Sequence, residues 1–430
     1  MTSEELSIVD PEFDLIKHPK KVFAPKNEDV LLNPAWTDDE NLADRGETCA
    51  LSEPAVLDIR AHLKRKRTVT DGELAASDMV TTEKLYAVFR ESGRQLSDAD
   101  ISMCRLSDAN MERLSCGPLT SAEFSPAHRI AMTASVDTTM ALFSLENSES
   151  HLLADFAFEK FPISSARFTR AGDRIILTGK RKYFKVYDLN SNKESHPVVP
   201  LGTRYGEKIN SVQMSPMCEI AAFSATGGIY LFDFRSFEKT TTVRVSGNAV
   251  AHCFAQGGDI LNAFSNDGSV FMFDLRHNAR PVHRWSDYSC TGGCSFAISD
   301  DSKYIACGSE SGYVNIYTWE AVMNGSIRRP KPLKSVGNLT TAVDQLLFHP
   351  SNQLLYMSSS LQSAAARLYD LGGQQVYSNF PTCMGRLGVP TAVGFSPHGG
   401  YLAVGQASGH AALYRFDWQG SKILLHLKSD

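Results

Sequence analysis

The side chains of this chain best suited to chemistry are cations in short runs. Lys180-Arg181-Lys182 is followed at once by Tyr183, and Arg328-Arg329-Pro330-Lys331-Pro332-Leu333-Lys334 carries four more positive charges. Cations beside an aromatic ring suit contact with phosphates and stacking on bases, the combination used to hold single-stranded nucleic acid. An acidic partner would fit the same charges, and an ordinary solvated loop is the plainer reading of either run alone. A third run, Lys64-Arg65-Lys66-Arg67, has the composition of a nuclear import signal, or of a solvated patch on a short helix.

Catalytic signatures are scarce. Gly308-Ser309-Glu310-Ser311-Gly312 has glutamate where a nucleophile elbow needs serine, and neither a phosphate-cradling Gly-x-x-x-x-Gly-Lys loop nor a His-Glu-x-x-His pair occurs. Asp188, Asp233, Asp274 and Asp370 recur at one repeat position, each after an aromatic residue. Recurrence favours a shared structural task, accepting turn hydrogen bonds, over paired acid-base work. The nine cysteines are scattered and odd in number, as expected of reduced thiols acting as small apolar residues. Cys290 and Cys294 have a metal-like spacing, but no second Cys or His pair follows, so neither metal nor cofactor is expected. Gly227-Gly228 and Gly292-Gly293 read as turn glycines needing positive φ.

The elements that position these residues repeat. An apolar anchor, a Ser-Pro, His-Pro or Gly-Asp turn, a short apolar strand and an apolar stretch closing on aromatic-Asp recur seven times. The anchors are Phe124, Phe168, Met214, Phe254, Phe296, Phe348 and Phe395, spaced 44, 46, 40, 42, 52 and 47 residues apart. That period is the size of a propeller blade of the WD40 type. The fold class expected is all-β: a seven-bladed WD40-type β-propeller over 100–430 with a largely disordered N-terminal extension. The segments His151–Phe158, Thr240–Val245, Pro281–Trp285 and Gln375–Phe380 are expected as outer strands. Ring closure has two candidate strands, Ile101–Cys104 and Lys422–Leu427.

Before the repeats, residues 1–60 hold 14 acidic against 6 basic side chains and five prolines, a composition expected to stay disordered. Residues 61–99 carry the basic run and one short helix, expected over Thr82–Glu91. The N-terminus has no apolar core of a signal peptide, and no stretch approaches the ~18 apolar residues of a membrane span, so no membrane partner is expected.

Several loop strings carry a more specific likeness. Gly117-Pro-Leu-Thr-Ser-Ala-Glu-Phe-Ser-Pro126, Glu159-Lys-Phe-Pro-Ile163, Gly312-Tyr-Val-Asn-Ile-Tyr317, Asn338-Leu-Thr-Thr-Ala-Val343, Tyr377-Ser-Asn-Phe-Pro381 and Phe395-Ser-Pro-His-Gly-Gly-Tyr401 together resemble the U3 small nucleolar RNA-associated protein 18 family. The resemblance covers roughly 100–420. It implies a non-enzymatic scaffold of the nucleolar small-subunit processome, within the UTP-B assembly, acting in pre-rRNA processing and 18S rRNA maturation. Its implied partners are other UTP-B subunits, with U3 small nucleolar RNA and pre-rRNA, and its implied place is the nucleus and nucleolus. Some members carry an N-terminal Leu-Phe-x-apolar-Asp motif that recruits the exosome helicase. Leu6, Ile8, Val9 and Asp10 match it, while Ser7 stands where phenylalanine belongs, a loss of roughly 2 kcal/mol of burial. Two other classes fit a propeller: a WD40 adaptor of another pathway, such as a ubiquitin-ligase substrate receptor, and an enzyme with convergent polar groups in its channel.

Overall fold

The computed structural model describes residues 101–416, apart from 147–148, 192, 195–207, 226–227, 278, 289, 324–327 and 383–384. The basic run Lys64–Arg67, the helix expected over Thr82–Glu91, the motif at Leu6–Asp10 and the strand expected at Lys422–Leu427 lie outside the described residues.

Seven four-stranded antiparallel sheets are present. Their innermost strands are Leu119–Phe124, Ile163–Phe168, Ile209–Met214, Ala249–Ala255, Gly293–Ile298, Gln345–Phe348 and Pro390–Phe395, in blades 1 to 7. Each contains one of the seven anchors. Neighbouring innermost strands pack in chain order, and that of blade 7 returns to that of blade 1, so the ring is closed. Closure turns the inner edge of each sheet toward the central channel and leaves the outermost strands with the edges on the outer rim.

The residue pattern follows from position in the ring. Second strands are covered on both faces by adjacent blades, so Ile130-Ala-Met-Thr-Ala-Ser135 is buried throughout. Outermost strands meet water and alternate instead, as Glu238-Lys-Thr-Thr-Thr-Val243 does. The core is a set of inter-blade layers. Met132 and Leu142 of blade 1 pack with Ile175, Leu177 and Tyr187 of blade 2. Phe184 of blade 2 stacks on Phe223 of blade 3 at 4.4 Å between ring centroids.

The Ser-Pro and His-Pro turns lock one blade to the next. Ser125, Ser215 and His349, each just after its blade's anchor, sit where a side chain on Gly172, Gly258 or Gly399 of the following blade would stand. Further links join the same turns, with Gln256 N donating to Ser302 Oγ (2.8 Å) and Asp300 N to Asn352 Oδ1 (3.1 Å).

Blade 7 takes its outer strand from the N-terminal side. Met103–Arg105 pairs antiparallel with Ala411–Phe416, Met103 facing Phe416 and Arg105 facing Tyr414. Asn379 then clasps the backbone of Ile101 through both amide atoms, at 3.1 and 2.8 Å.

Four expectations need correction. The outer strand expected over Gln375–Phe380 is only Gln375–Val376, and Phe380 is buried between blades 6 and 7. The short outer strands Lys193–Glu194 and Lys334–Val336 carry no alternating apolar pattern and were not expected. Lys334 is therefore on a strand, at the end of a run from Arg328 that was read as loop throughout. Gly292 and Gly293 do not adopt positive φ. A Cβ on Gly293 would stand 2.5 Å from the Phe264 ring, so close approach of blades 4 and 5 is what demands glycine there.

Candidate nucleic-acid interface

In an antiparallel blade the second-to-third turn lies at the same end as the start of the innermost strand. That end of the ring is called the top face here. Lys180, Arg181 and Lys182 form the second-to-third turn of blade 2 and are exposed on it. The turn is held by backbone: Arg181 N donates to Gly179 O (2.6 Å), and Ile209 N of blade 3 donates to Arg181 O (3.0 Å). Arg181 also reaches Lys160 O at 3.5 Å through its guanidinium.

Tyr183 does not stand free beside these cations. Its ring is half-buried, 5.5 Å from that of Phe161, and packs on the layer between blades 1 and 2. The turn therefore offers charge for phosphates without an open stacking surface.

The second basic run sits elsewhere. The short helix Trp319–Met323 follows the third strand of blade 5, at the opposite end of the sheet. At the rim, Ser286 N, at the end of blade 4's outer strand Arg280–Ser286, donates to Arg328 O at 2.8 Å. Leu333 N donates to Ile316 O (2.7 Å), and Lys334 pairs with Ile316. Arg328, Arg329, Lys331 and Lys334 are all exposed on this rim. Blades 3 and 4 separate the two clusters, so they do not form one site. The fold brings the end of blade 4's outer strand, at Ser286, against the start of the second cluster. Sequence spacing gave no sign of that, because some 40 residues intervene.

The recurring aspartates do what recurrence suggested. Asp188 Oδ1 accepts from Asn190 N (2.8 Å), Asp233 Oδ1 from Arg235 N (2.8 Å) and Asp274 Oδ1 from Arg276 N (2.9 Å). Asp370 accepts from Gly372 N (2.9 Å) and Gly373 N (3.0 Å). Each carboxylate closes the turn after a third strand.

Polar groups near the axis are likewise spent on neighbours. Glu123 accepts from Phe168 N (3.0 Å) and lies 3.4 Å from Arg167, joining blades 1 and 2. Burial raises its carboxyl pKa, against the lowering effect of Arg167. His252 bonds to Ala222 O at 2.9 Å, and burial pulls its pKa down to about 4, leaving the ring neutral. The Cys253 thiol points at Phe296 O (3.3 Å) and burial pushes its pKa up to about 12, so no thiolate is available there.

Between blades 4 and 5 the buried Asp287 receives both Asn315 Nδ2, at 3.0 and 3.2 Å, and the Tyr317 hydroxyl. That network fixes the loop bearing Tyr288 and Cys290, which leads to Cys294 on the innermost strand of blade 5. Burial pushes the two thiols up to about 12 and about 11, and no group of metal-ligating side chains forms among the described residues.

Comparison with known proteins bears out the likeness read from the loop strings. Proteins named U3 small nucleolar RNA-associated protein 18 homolog in mouse and human are each 29% identical over 333 residues, covering 76% of this chain. The chain spans 59% of the length of those two relatives. The Caenorhabditis elegans homolog is 26% identical over 89% of this chain and 96% of its own length. The human WD repeat-containing protein 55 is 22% identical over 262 residues, a more distant match. No family model matches the chain.

Proposed function

We propose that this protein is a non-enzymatic scaffold in ribosome biogenesis, acting in the nucleolus within the U3-containing small-subunit processome as part of its UTP-B assembly. The observation that carries this reading is the likeness to relatives named for association with U3 small nucleolar RNA, over 76–89% of the chain. The ring supports it physically. It is a closed platform whose shared aspartates close turns and whose channel-side His252 and Cys253 are held in neutral forms. Its partners in this reading are other UTP-B subunits, U3 RNA and pre-rRNA. Lys180, Arg181 and Lys182 on the top face supply charge toward RNA or an acidic partner, and Lys64–Arg67 supply nuclear import. Leu6–Asp10 form a weakened exosome-helicase contact because Ser7 replaces the motif's aromatic residue.

Affinity purification of the tagged full chain, with identification of co-purifying RNA and proteins, tests the reading. U3 RNA and processome subunits are expected. Their absence, with another pathway's subunits present, would establish the adaptor alternative in its place.

A further inference from the structure

We propose that the cleft between blades 4 and 5, on the face opposite the top, is a docking site for a basic peptide segment, and that the segment seated there is this chain's own Lys64–Arg67. The proposal goes beyond the function given above and does not depend on it. The cleft exists because blade 5 breaks the repeat. Thr318 pairs with Tyr304 at the place where Asp188, Asp274 and Asp370 pair with the first residue of their second strands. With no aspartate to close a tight turn, the chain leaves that strand as the helix Trp319–Met323. A cavity of about 540 Å³ opens beside it, lined by Gln256 and Gly257 of blade 4 and by Asp300, Tyr304, Trp319 and Glu320 of blade 5.

Its chemistry suits a cation on a long apolar stem. Tyr304 and Trp319, both half-buried, give an aromatic wall for the stem of a lysine or arginine. Asp300 and Glu320 give carboxylates for its head. Asp301 also lines the cleft, but Lys303 Nζ (3.1 Å) and Ser299 Oγ (2.7 Å) already hold it. Burial raises the Asp300 carboxyl pKa, and the neighbouring Asp301 adds to the rise, so negative charge is costly there until a cation arrives. The occupant follows from charge and from where the chain meets the ring. Lys64-Arg65-Lys66-Arg67 is four cations in succession. Met103 faces Phe416, the last residue of blade 7's third strand, so the N-terminal chain joins the ring on the same face as the cleft. The 33 residues between Arg67 and Ile101 span up to about 110 Å when extended, against about 50 Å across a domain of this size, so the run reaches the cleft from the far side of the ring.

The test is fluorescence anisotropy in low salt, with a labelled synthetic peptide of residues 60–70 added to the full chain and to its variant K64Q/R65Q/K66Q/R67Q. The variant has no run of its own to seat and should take the peptide with a dissociation constant of about 0.1 mM. In the parent the tethered run competes at an effective concentration of about 1 mM, so the peptide should bind about tenfold more weakly. Adding D300N/E320Q to the variant should weaken the peptide about tenfold; E320Q alone, on the short helix, should weaken it about threefold and serves if the double change melts early. Equal binding by the parent and the variant would overturn the docking of Lys64–Arg67 and leave the cleft to a basic segment of another protein. Binding indifferent to both D300N/E320Q and E320Q would put the peptide elsewhere, on the acidic residues 1–60 for instance, and the cleft site fails. It fails equally if the peptide binds neither chain. Recovery of U3 RNA tests the function separately and stands or falls apart from these results.

Discussion

His349 of blade 6 and Gly399 of blade 7 are fitted to each other. Ser351 N donates to Nδ1 of the imidazole (3.0 Å), so the ring proton is on Nε2, which donates to Gly399 O at 2.8 Å. Gly399 has φ of +71°, and a Cβ there would stand 2.3 Å from the imidazole. Strain and clash coincide, so Gly399→Ala is expected to cost about 2–3 kcal/mol. Gly400, with open space around it, is the control: Gly400→Ala should shift stability by less than about 0.5 kcal/mol. Chemical denaturation of both variants measures the difference, and equal costs would show that the contact is slack.

The same histidine makes the ring sensitive to acid. Burial holds His349 and His252 at about 4, against 6.5 for an ordinary imidazole. As pH falls below 6.5 the unfolded chain takes up these protons first. Stability is whole above pH 6.5 and declines through the window from 6.5 to 4, by about 1.4 kcal/mol per pH unit for each ring. Melting curves from pH 7.5 to 5 should therefore slope downward, and H252Q/H349Q should flatten that slope even if it starts lower. A variant as acid-sensitive as the parent would place the effect on other groups.

The ring was legible because its signature lies in residues that repeat. The anchor aromatics, the Ser-Pro and His-Pro turns and the aromatic-Asp endings each have a local physical reason, so they recur wherever the blade recurs. What could not be read was what depends on contacts between distant segments. Lys193–Glu194 and Lys334–Val336 become strands because a third strand offers them an edge, not through their own pattern. The bond from Ser286 of blade 4 to Arg328 of blade 5 likewise needs the ring to exist first. Tyr183 looked available beside its cations, yet an aromatic at the start of a third strand faces the neighbouring blade.

Closure from the N-terminal side has a sharp boundary. Beyond the strand Met103–Arg105, Leu106 N donates to Leu413 O (2.9 Å) and Ala109 N to Ala411 O (2.8 Å). Asn110, fully buried, gives Nδ2 to Gly409 O (2.7 Å) and receives Ala411 N on Oδ1 (2.8 Å). Removing residues 1–100 should leave the melting transition within about 2 °C of the parent. Removing 1–112 strips blade 7 of its outer strand and orphans buried groups, and should lower Tm by more than about 10 °C or abolish folding. Asn110→Ala alone should cost about 2 kcal/mol or more. Two truncations of equal stability would mean that the latch contributes nothing.

The cations of the blade 2 turn can be separated from stability because the turn is built from backbone. Ile209 N bonds to Arg181 O whatever side chain residue 181 carries, and residues 180–182 point to solvent. The long bond from Arg181 to Lys160 O, at 3.5 Å, is worth little at an exposed site. K180E/R181E/K182E should therefore unfold within about 0.5 kcal/mol of the parent. Reversing three charges on the top face repels phosphates that the parent attracts, so association with U3-containing particles should fall about tenfold in low salt, and the gap to the parent should narrow as salt rises. Sedimentation of tagged protein through a density gradient reads this directly. A variant that travels with the particles as the parent does would leave Lys180, Arg181 and Lys182 as solvated charge on a turn.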